Sequence, residues 1–135
     1  MTLPAELDLD CFRGDTFSYE FTGLDLSDYE TIYFTVKEDY KDTDSEATIQ
    51  ISSASGLLIL EGISGSVSGS SNASITVDSG STVATVNIKA SVTDEFEYSS
   101  TDYFYDLQMI KTDGEVETLE AGTFTLVRDV TRRIT

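Results

Sequence analysis

Arg13-Gly14-Asp15 is the tripeptide in this 135-residue chain whose chemistry would be most specific if exposed. At the tip of a protruding loop, with both charges free, it would be an adhesion ligand. Here it runs directly into an alternating stretch at residues 16–21. Gly14 therefore reads as a bend or bulge at a strand start. Asp15 reads as a turn aspartate bonding its neighbouring backbone. A second set, Asp39, Asp42, Asp44 and Glu46, places hard-oxygen groups along a polar loop, which is calcium chemistry, but the glycine and terminal glutamate of an EF-hand are absent. Carboxylate pairs for glycoside hydrolysis would have to meet across strands, and among 25 acids no pair stands out. The tyrosines Tyr19, Tyr29, Tyr33, Tyr40, Tyr98, Tyr103 and Tyr105 could stack on sugars. Tyr19, Tyr103 and Tyr105 fall at apolar-face positions and read as core, which leaves Tyr33 and Tyr40 as the exposed candidates.

The chain holds no histidine, which removes Ser-His-Asp and Cys-His catalysis and His-ligated metals. Cys11 is the single cysteine, so no intrachain disulfide can form. Its neighbours Leu9 and Phe12 point to a small buried hydrophobe rather than a reactive thiol. No catalytic residue, cofactor site or metal site is nominated, and the chain is not expected to be an enzyme.

The elements that would position any such residues are strands. In Phe17-Ser18-Tyr19-Glu20-Phe21 rings and polar groups alternate, the period of a half-buried strand. Gly23 and the stretch Asp25-Leu26-Ser27-Asp28 turn the chain. Residues 31–37 put Ile32, Phe34 and Val36 on one face and Tyr33 and Thr35 on the other. Residues 38–46 are an exposed loop, residues 47–52 alternate again, and the apolar run at 56–62 reads as an inner strand. Residues 52–81 are Ser- and Gly-rich and read as a long hairpin loop, with residues 73–77 a weak edge strand. Asn72-Ala73-Ser74 matches a glycosylation acceptor. Residues 81–90 form a strand and residues 91–100 a helical turn capped by Thr93. Tyr103, Tyr105, Leu107 and Met109 then share one face. Thr112-Asp113-Gly114 is a hairpin turn, and two short strands broken at Gly122 follow. The prediction is an all-β, Ig-like antiparallel sandwich of about eight strands with a long Ser/Gly-rich hairpin loop, as one domain over residues 1–135. A closed barrel is the competing closure.

Charge narrows the partners. The formal net charge is −17, a field that repels phosphate backbones and anionic lipid surfaces, so neither nucleic acid nor membrane is expected as a partner. The stretch MTLPAELDLD has no basic region or apolar run, so no secretory signal is expected. The bases are uneven, with Arg128, Arg132 and Arg133 within the last eight residues. A basic tail on an acidic body points to head-to-tail contact between copies, and these three arginines are the candidate interface residues.

One resemblance gathers these pieces. Tyr103-Phe104-Tyr105-Asp106-Leu107, the turn at Asp113-Gly114, Thr118-Leu119, Gly122, Phe124-Thr125-Leu126 and Val130-Thr131-Arg132 follow an order resembling a small β-sandwich domain of tailed-phage structural proteins, best known as the N-terminal domain of baseplate upper proteins. Gly14-Asp15-Thr16, Asp25-Leu26-Ser27-Asp28-Tyr29 and Val36-Lys37 match its front half, while residues 40–100 show little of it. The resemblance implies a virion structural protein in the tail, baseplate or neck, an adaptor without catalytic residues. Its partners would be copies of itself and other virion proteins. Baseplate upper proteins continue into helical and fibre-connecting segments, whereas these residues stop after Val-Thr-Arg-Arg, which points equally to a decoration, neck or connector protein. The alternative class is a carbohydrate- or receptor-binding module.

Overall fold

The computed structural model describes residues 8–12, 15–37, 49–60, 72–93 and 102–127. Nine strands and one helical turn lie within them: β1 (Leu9–Phe12), β2 (Phe17–Phe21), β3 (Tyr29–Lys37), β4 (Ile49–Ser52), β5 (Gly56–Leu60), β6 (Ala73–Val77), β7 (Ala84–Ile88), α1 (Ala90–Thr93), β8 (Asp102–Lys111) and β9 (Val116–Val127). They form a six-stranded sheet in the order β1-β9-β8-β3-β4-β5 and a three-stranded sheet in the order β2-β7-β6. This is the arrangement of a variable-type immunoglobulin sandwich, in which two added strands extend one sheet at its edge. The first strand has crossed to the larger sheet and lies parallel on β9, with Leu9 opposite Phe124 and Cys11 opposite Leu126.

Alternation decides what faces inward. Ile32, Phe34 and Val36 of β3, Tyr103, Tyr105, Leu107 and Met109 of β8, and Phe17 and Phe21 of β2 are all buried. Their period of two matches the pleat, so each strand gives one apolar row to the space between the sheets. In immunoglobulin domains a disulfide commonly spans the sheets beside a tryptophan on the third strand. Here rings do that work. Phe21 of the small sheet and Tyr105 of the large one have centroids 6.3 Å apart. Phe34 lies 6.3 Å from Phe21 and 5.5 Å from Tyr105. Phe124 extends the cluster to Phe34 at 6.1 Å and to Phe17 at 5.4 Å. Tyr103, two residues before Tyr105 and 1% exposed, holds the place of the corner tyrosine of such domains.

Local chemistry makes the connections. In the β8–β9 hairpin the Gly114 N–H donates to the Lys111 carbonyl at 2.9 Å and the Lys111 N–H to Glu115 at 2.8 Å. Gly114 has φ +91°, a conformation glycine takes without a Cβ penalty. Ser81 takes φ +56°, and Asp78 supports that loop by accepting the N–H groups of Thr82 at 2.8 Å and Val83 at 2.9 Å. The same loop is stitched to the β2–β3 connection through Leu24 N–H to Thr82 at 3.0 Å and Leu26 N–H to Ser81 at 2.9 Å.

Four expectations change. The Ser/Gly-rich segment joins β5 to β6, which lie in different sheets, so it is a sheet-to-sheet crossover rather than a hairpin. β5 ends the large sheet and is an edge strand, not an inner one. The stretch after the β8–β9 hairpin is one twelve-residue strand rather than two. A bulge between Leu107 and Gln108 absorbs the irregularity, and Gly122 stays in the ladder opposite Tyr105. The helical turn starts at Ala90, directly after β7, so Thr93 ends it instead of capping its start.

Because Phe34 touches both sheets through its ring neighbours, Phe34→Ala should cost about 3–5 kcal/mol of stability. Phe104→Ala, on the outer surface, should cost about 1 kcal/mol or less. Urea unfolding of both variants checks the contrast, and equal losses would mean the ring cluster does not hold the sheets together.

Candidate functional site

The sandwich has two outer faces, and they differ. On the small sheet, Ser18, Asn87 and Ser74 share one cross-strand row and Glu20, Thr85 and Thr76 the next. Ser18 donates to Asn87 at 2.8 Å. These outward rows are small and polar, without an aromatic residue.

The large sheet is otherwise. Four rows cross its central strands: Thr123-Phe104-Lys37, then Ala121-Asp106-Thr35-Gln50, then Thr118-Gln108-Tyr33-Ser52, then Val116-Ile110-Thr31. Phe104 is 39% exposed and Val116 60%, while Tyr33 and Ile110 are half-buried. Gln50 donates to Thr35 at 3.3 Å and Gln108 to Thr118 at 3.5 Å, which braces the rows laterally. On these central strands one acid, Asp106, and one base, Lys37, face outward, and at the β1 flank Asp8 accepts the Thr123 hydroxyl at 2.7 Å while Asp10 is exposed. Phe12 of β1, 52% exposed, adds an apolar group at the flank.

Five exposed acids cluster at one end. The β2–β3 connection, the β6–β7 loop and the β8–β9 hairpin lie together there, joined by Thr112 N–H to the Asp28 carbonyl at 3.0 Å. Asp25, Asp28, Asp78, Asp113 and Glu115 are exposed in these loops. Several of them build the loops. Asp25 accepts the Ser27 hydroxyl at 2.7 Å and its N–H at 3.2 Å, and these bonds hold its carboxyl below the usual range. The backbone N–H groups of Val83 and then Thr82 do the same for Asp78. Glu115 N–H donates to Asp113 at 2.9 Å, and Lys111 meets Glu117 at 4.0 Å. Among the described residues no group of three or more His, Cys, Asp or Glu could hold a metal ion.

The residues singled out from sequence fall unevenly on this surface. Arg128, Arg132 and Arg133 lie outside the described residues, as do Arg13, Gly14, Tyr40, Tyr98 and the acids Asp39, Asp42, Asp44 and Glu46. Asp15 N–H donates to the Phe12 carbonyl at 3.0 Å, which ties the start of β2 to the end of β1. Cys11 is fully buried. Burial, helped by the nearby Asp15 charge, pushes its thiol up to about 12, so it stays protonated at neutral pH. Tyr19 is half-buried, packed at 4.8 Å on Phe21, and Tyr103 and Tyr105 are core. Tyr33 does lie on an outer face. Phe104, Ile110 and Val116 were missed. The available signal was an apolar residue at an outward position, because the alternation that buries Tyr103, Tyr105 and Met109 turns Phe104 and Ile110 outward.

No protein-family model matches the chain, and neither does any curated protein sequence. Similar solved structures include the NK cell receptor NKp44, described as a triggering partner in natural cytotoxicity. It is 16% identical, the match covering 93% of this chain and 99% of that one, with a TM-score of 0.51. The first Ig-like domain of human CD48 antigen is 7% identical over 100% of this chain and 93% of that one, with a TM-score of 0.51. At these identities the likeness is one of fold: this is an Ig-like sandwich. No helix among the described residues is long and apolar enough to cross a membrane.

Glu120 gives this surface a pH signature. It lies opposite Leu107 on the core-facing row, and partial burial raises its carboxyl above the ordinary range. An acid raised by folding holds its proton more tightly in the folded state. Its contribution is therefore neutral well below about pH 4 and turns unfavourable as pH rises through its folded pKa. Glu120→Gln should raise the melting temperature at neutral pH and change it little near pH 3. Glu115→Gln, on the exposed hairpin, controls for the lost charge. Equal gains from the two variants would show that burial of Glu120 is not the cause.

Proposed function

We propose that the chain is a non-catalytic structural adaptor of a tailed-phage particle, seated in the tail, baseplate or neck among copies of itself and other virion proteins. The observation that carries this reading is where the resembling motifs fall. Tyr103 to Leu107 lie in β8, Asp113-Gly114 in the hairpin, Thr118-Leu119 to Leu126 in β9, and Val36-Lys37 at the end of β3. The Asp25 to Tyr29 stretch is hydrogen-bonded to that hairpin through Asp28. Motifs separated by some eighty residues in sequence thus form one contiguous unit, β3-β8-β9 with its loops, as expected of a pattern that encodes a packed module.

Charge and length support assembly between copies. β9 runs from the acidic hairpin end to Val127, and its twelve residues span roughly 36 Å. Arg133 follows six residues later, and six residues reach at most about 22 Å, plus several ångströms of side chain. The tail arginines cannot reach the acidic loops of their own copy. A neighbour stacked head to tail presents those loops directly, a heterologous contact that builds rings or filaments. The carbohydrate-binding alternative has less support, since Tyr33 is the single described tyrosine of its exposed pair.

Immunogold microscopy on particles from the source, with antibody to this chain, tests the adaptor reading. Gold at one fixed place on a tailed particle is the expected result, and unlabelled particles with the protein free in the lysate would reject it. A solution test addresses the contact. Arg132→Glu with Arg133→Glu should weaken assembly most at low salt, where charge attraction is least screened. Unchanged assembly with an altered melting temperature would mean the arginines pair within their own chain.

A further inference from the structure

We propose that the free edge of β6 is a self-pairing edge, along which two copies join antiparallel about a two-fold axis so that their small sheets become one continuous sheet. This inference does not need the adaptor reading or the tail contact; it rests on the hydrogen-bond pattern and composition of one strand.

β6 ends the small sheet, with β7 on one side of it. Two bonds at its ends fix which of its backbone groups face β7. Lys89 N–H donates to the Asn72 carbonyl at 3.0 Å, and Asp78 N–H to the Val83 carbonyl at 3.2 Å. Both pairs continue the β6–β7 register, in which Ala73 lies opposite Ile88 and Val77 opposite Ala84. In an antiparallel ladder bonded pairs alternate with non-bonded ones. Asn72, Ser74, Thr76 and Asp78 therefore direct their N–H and C=O groups at β7, while Ala73, Ile75 and Val77 turn theirs to the free edge. Among the described residues no group bonds to that edge.

Edge strands usually carry a guard against pairing, such as a charge, a proline or a bulge. The other three edges here have one. β1 carries Asp10, β2 carries Glu20, and the pairing of β5 with β4 is irregular between Gln50 and Ile51. β6, Ala73-Ser74-Ile75-Thr76-Val77, has neither charge nor proline, and its register with β7 is unbroken.

The occupant that fits is a second copy, because β6 complements itself. A two-fold axis at Ile75 sets Ile75 against its own counterpart and Ala73 against Val77. These are the residues whose backbone groups face the edge, so every one of those groups finds a partner. On the outer face Ser74 meets Thr76, a hydroxyl pair that antiparallel sheets favour. Just beyond the strand Asp78 meets Asn72, so acid does not face acid, and the Asp78 carboxylate is already held by the Thr82 and Val83 N–H groups. On a chain of net charge −17, contact through a strand without charge is what lets two copies approach. A foreign strand would have to match this pattern by its own sequence, whereas a second copy matches it by symmetry.

Ala73 and Ile75 are already buried in the monomer, with β4 and β5 packed across from them. Pairing therefore adds ladder bonds and little apolar burial. Five residues span about 17 Å, a contact well below the area of a standard interface. The dimer is weak and reversible, and it is visible at high protein concentration.

Amide hydrogen exchange read by NMR, in dilute solution and at about millimolar concentration, tests this residue by residue. Exchange at Ala73, Ile75 and Val77 should be fast in dilute solution and slow at the higher concentration. At Ser74 and Thr76 it should be slow in both. Sedimentation equilibrium over the same range should show a dimer that strengthens as salt screens the repulsion between bodies. A tail-mediated contact would respond in the opposite direction. Val77→Pro removes an N–H that points away from β7, so it should keep the fold and weaken the dimer by at least about tenfold. Val77→Ala, which keeps that N–H, should leave the dimer in place. If Val77→Pro fails to fold, the exchange pattern of the wild-type chain still decides. A wild-type chain that stays monomeric at about millimolar concentration would overturn the proposal. So would a dimer in which the Ala73, Ile75 and Val77 amides stay fast, or one lost only on Arg132→Glu with Arg133→Glu. Protection of those three amides only when other proteins of the source are added would assign the edge to a foreign strand, and would equally overturn it.

Discussion

The contact between Phe21 and Tyr105 across the two sheets, with Phe34 packed on both, is the interaction on which the sandwich depends. With one cysteine the chain cannot join its sheets covalently. A disulfide at that place would stabilise by about 2–4 kcal/mol. Ring pairs contribute about 0.5–1.5 kcal/mol each beyond their burial, so three or four mutually packed rings reach a comparable figure. They also fix geometry. Phe124 packs on Phe34 and on Phe17, so β9 is tied to the small sheet as well as to β8. That in turn seats β1 on the free edge of β9, where Leu9 and Cys11 complete the core row.

Charge is arranged around that core rather than within it. The buried polar groups among the described residues are Thr35 and Ser52, with no acid or base among them. The described acids divide between strands and connections, and in the connections several are structural: Asp25 and Asp78 accept backbone N–H groups that a tight loop would otherwise leave unpaired. These bonds favour the ionised form, so the loops need their charge to hold their shape. The result is a body with a cluster of exposed acids at the hairpin end and, on the outer face of the large sheet, Lys37 and Asp106 in the central rows with Asp8 and Asp10 at the β1 flank.

That polarity gives the fold a direction. β9 carries the chain away from the acidic loops, with Val127 at the end opposite the hairpin. The end-to-end contact that we propose would use charge and not the core, so it could vary without unfolding the sandwich.

Sequence alone determined what is local. Period-two alternation assigned Ile32, Phe34, Val36, Tyr103, Tyr105, Leu107 and Met109 to the core, because the pleat sends successive side chains to opposite faces whatever the partner strand. Asp113-Gly114 named its hairpin, because only glycine takes φ near +90° cheaply. Cys11 was legible as a buried hydrophobe from its neighbours. Tertiary structure decided which strand lies beside which, since ladder hydrogen bonds carry no side-chain identity. It placed β1 parallel on β9, sent β5 to an edge, and took the chain from β5 to β6 across the sandwich. It kept Gly122 within a strand, in the ladder opposite Tyr105. The outer face of the large sheet is of the same kind. Phe104, Tyr33 and Val116 are far apart in sequence, and only the register of β3, β8 and β9 makes them one surface.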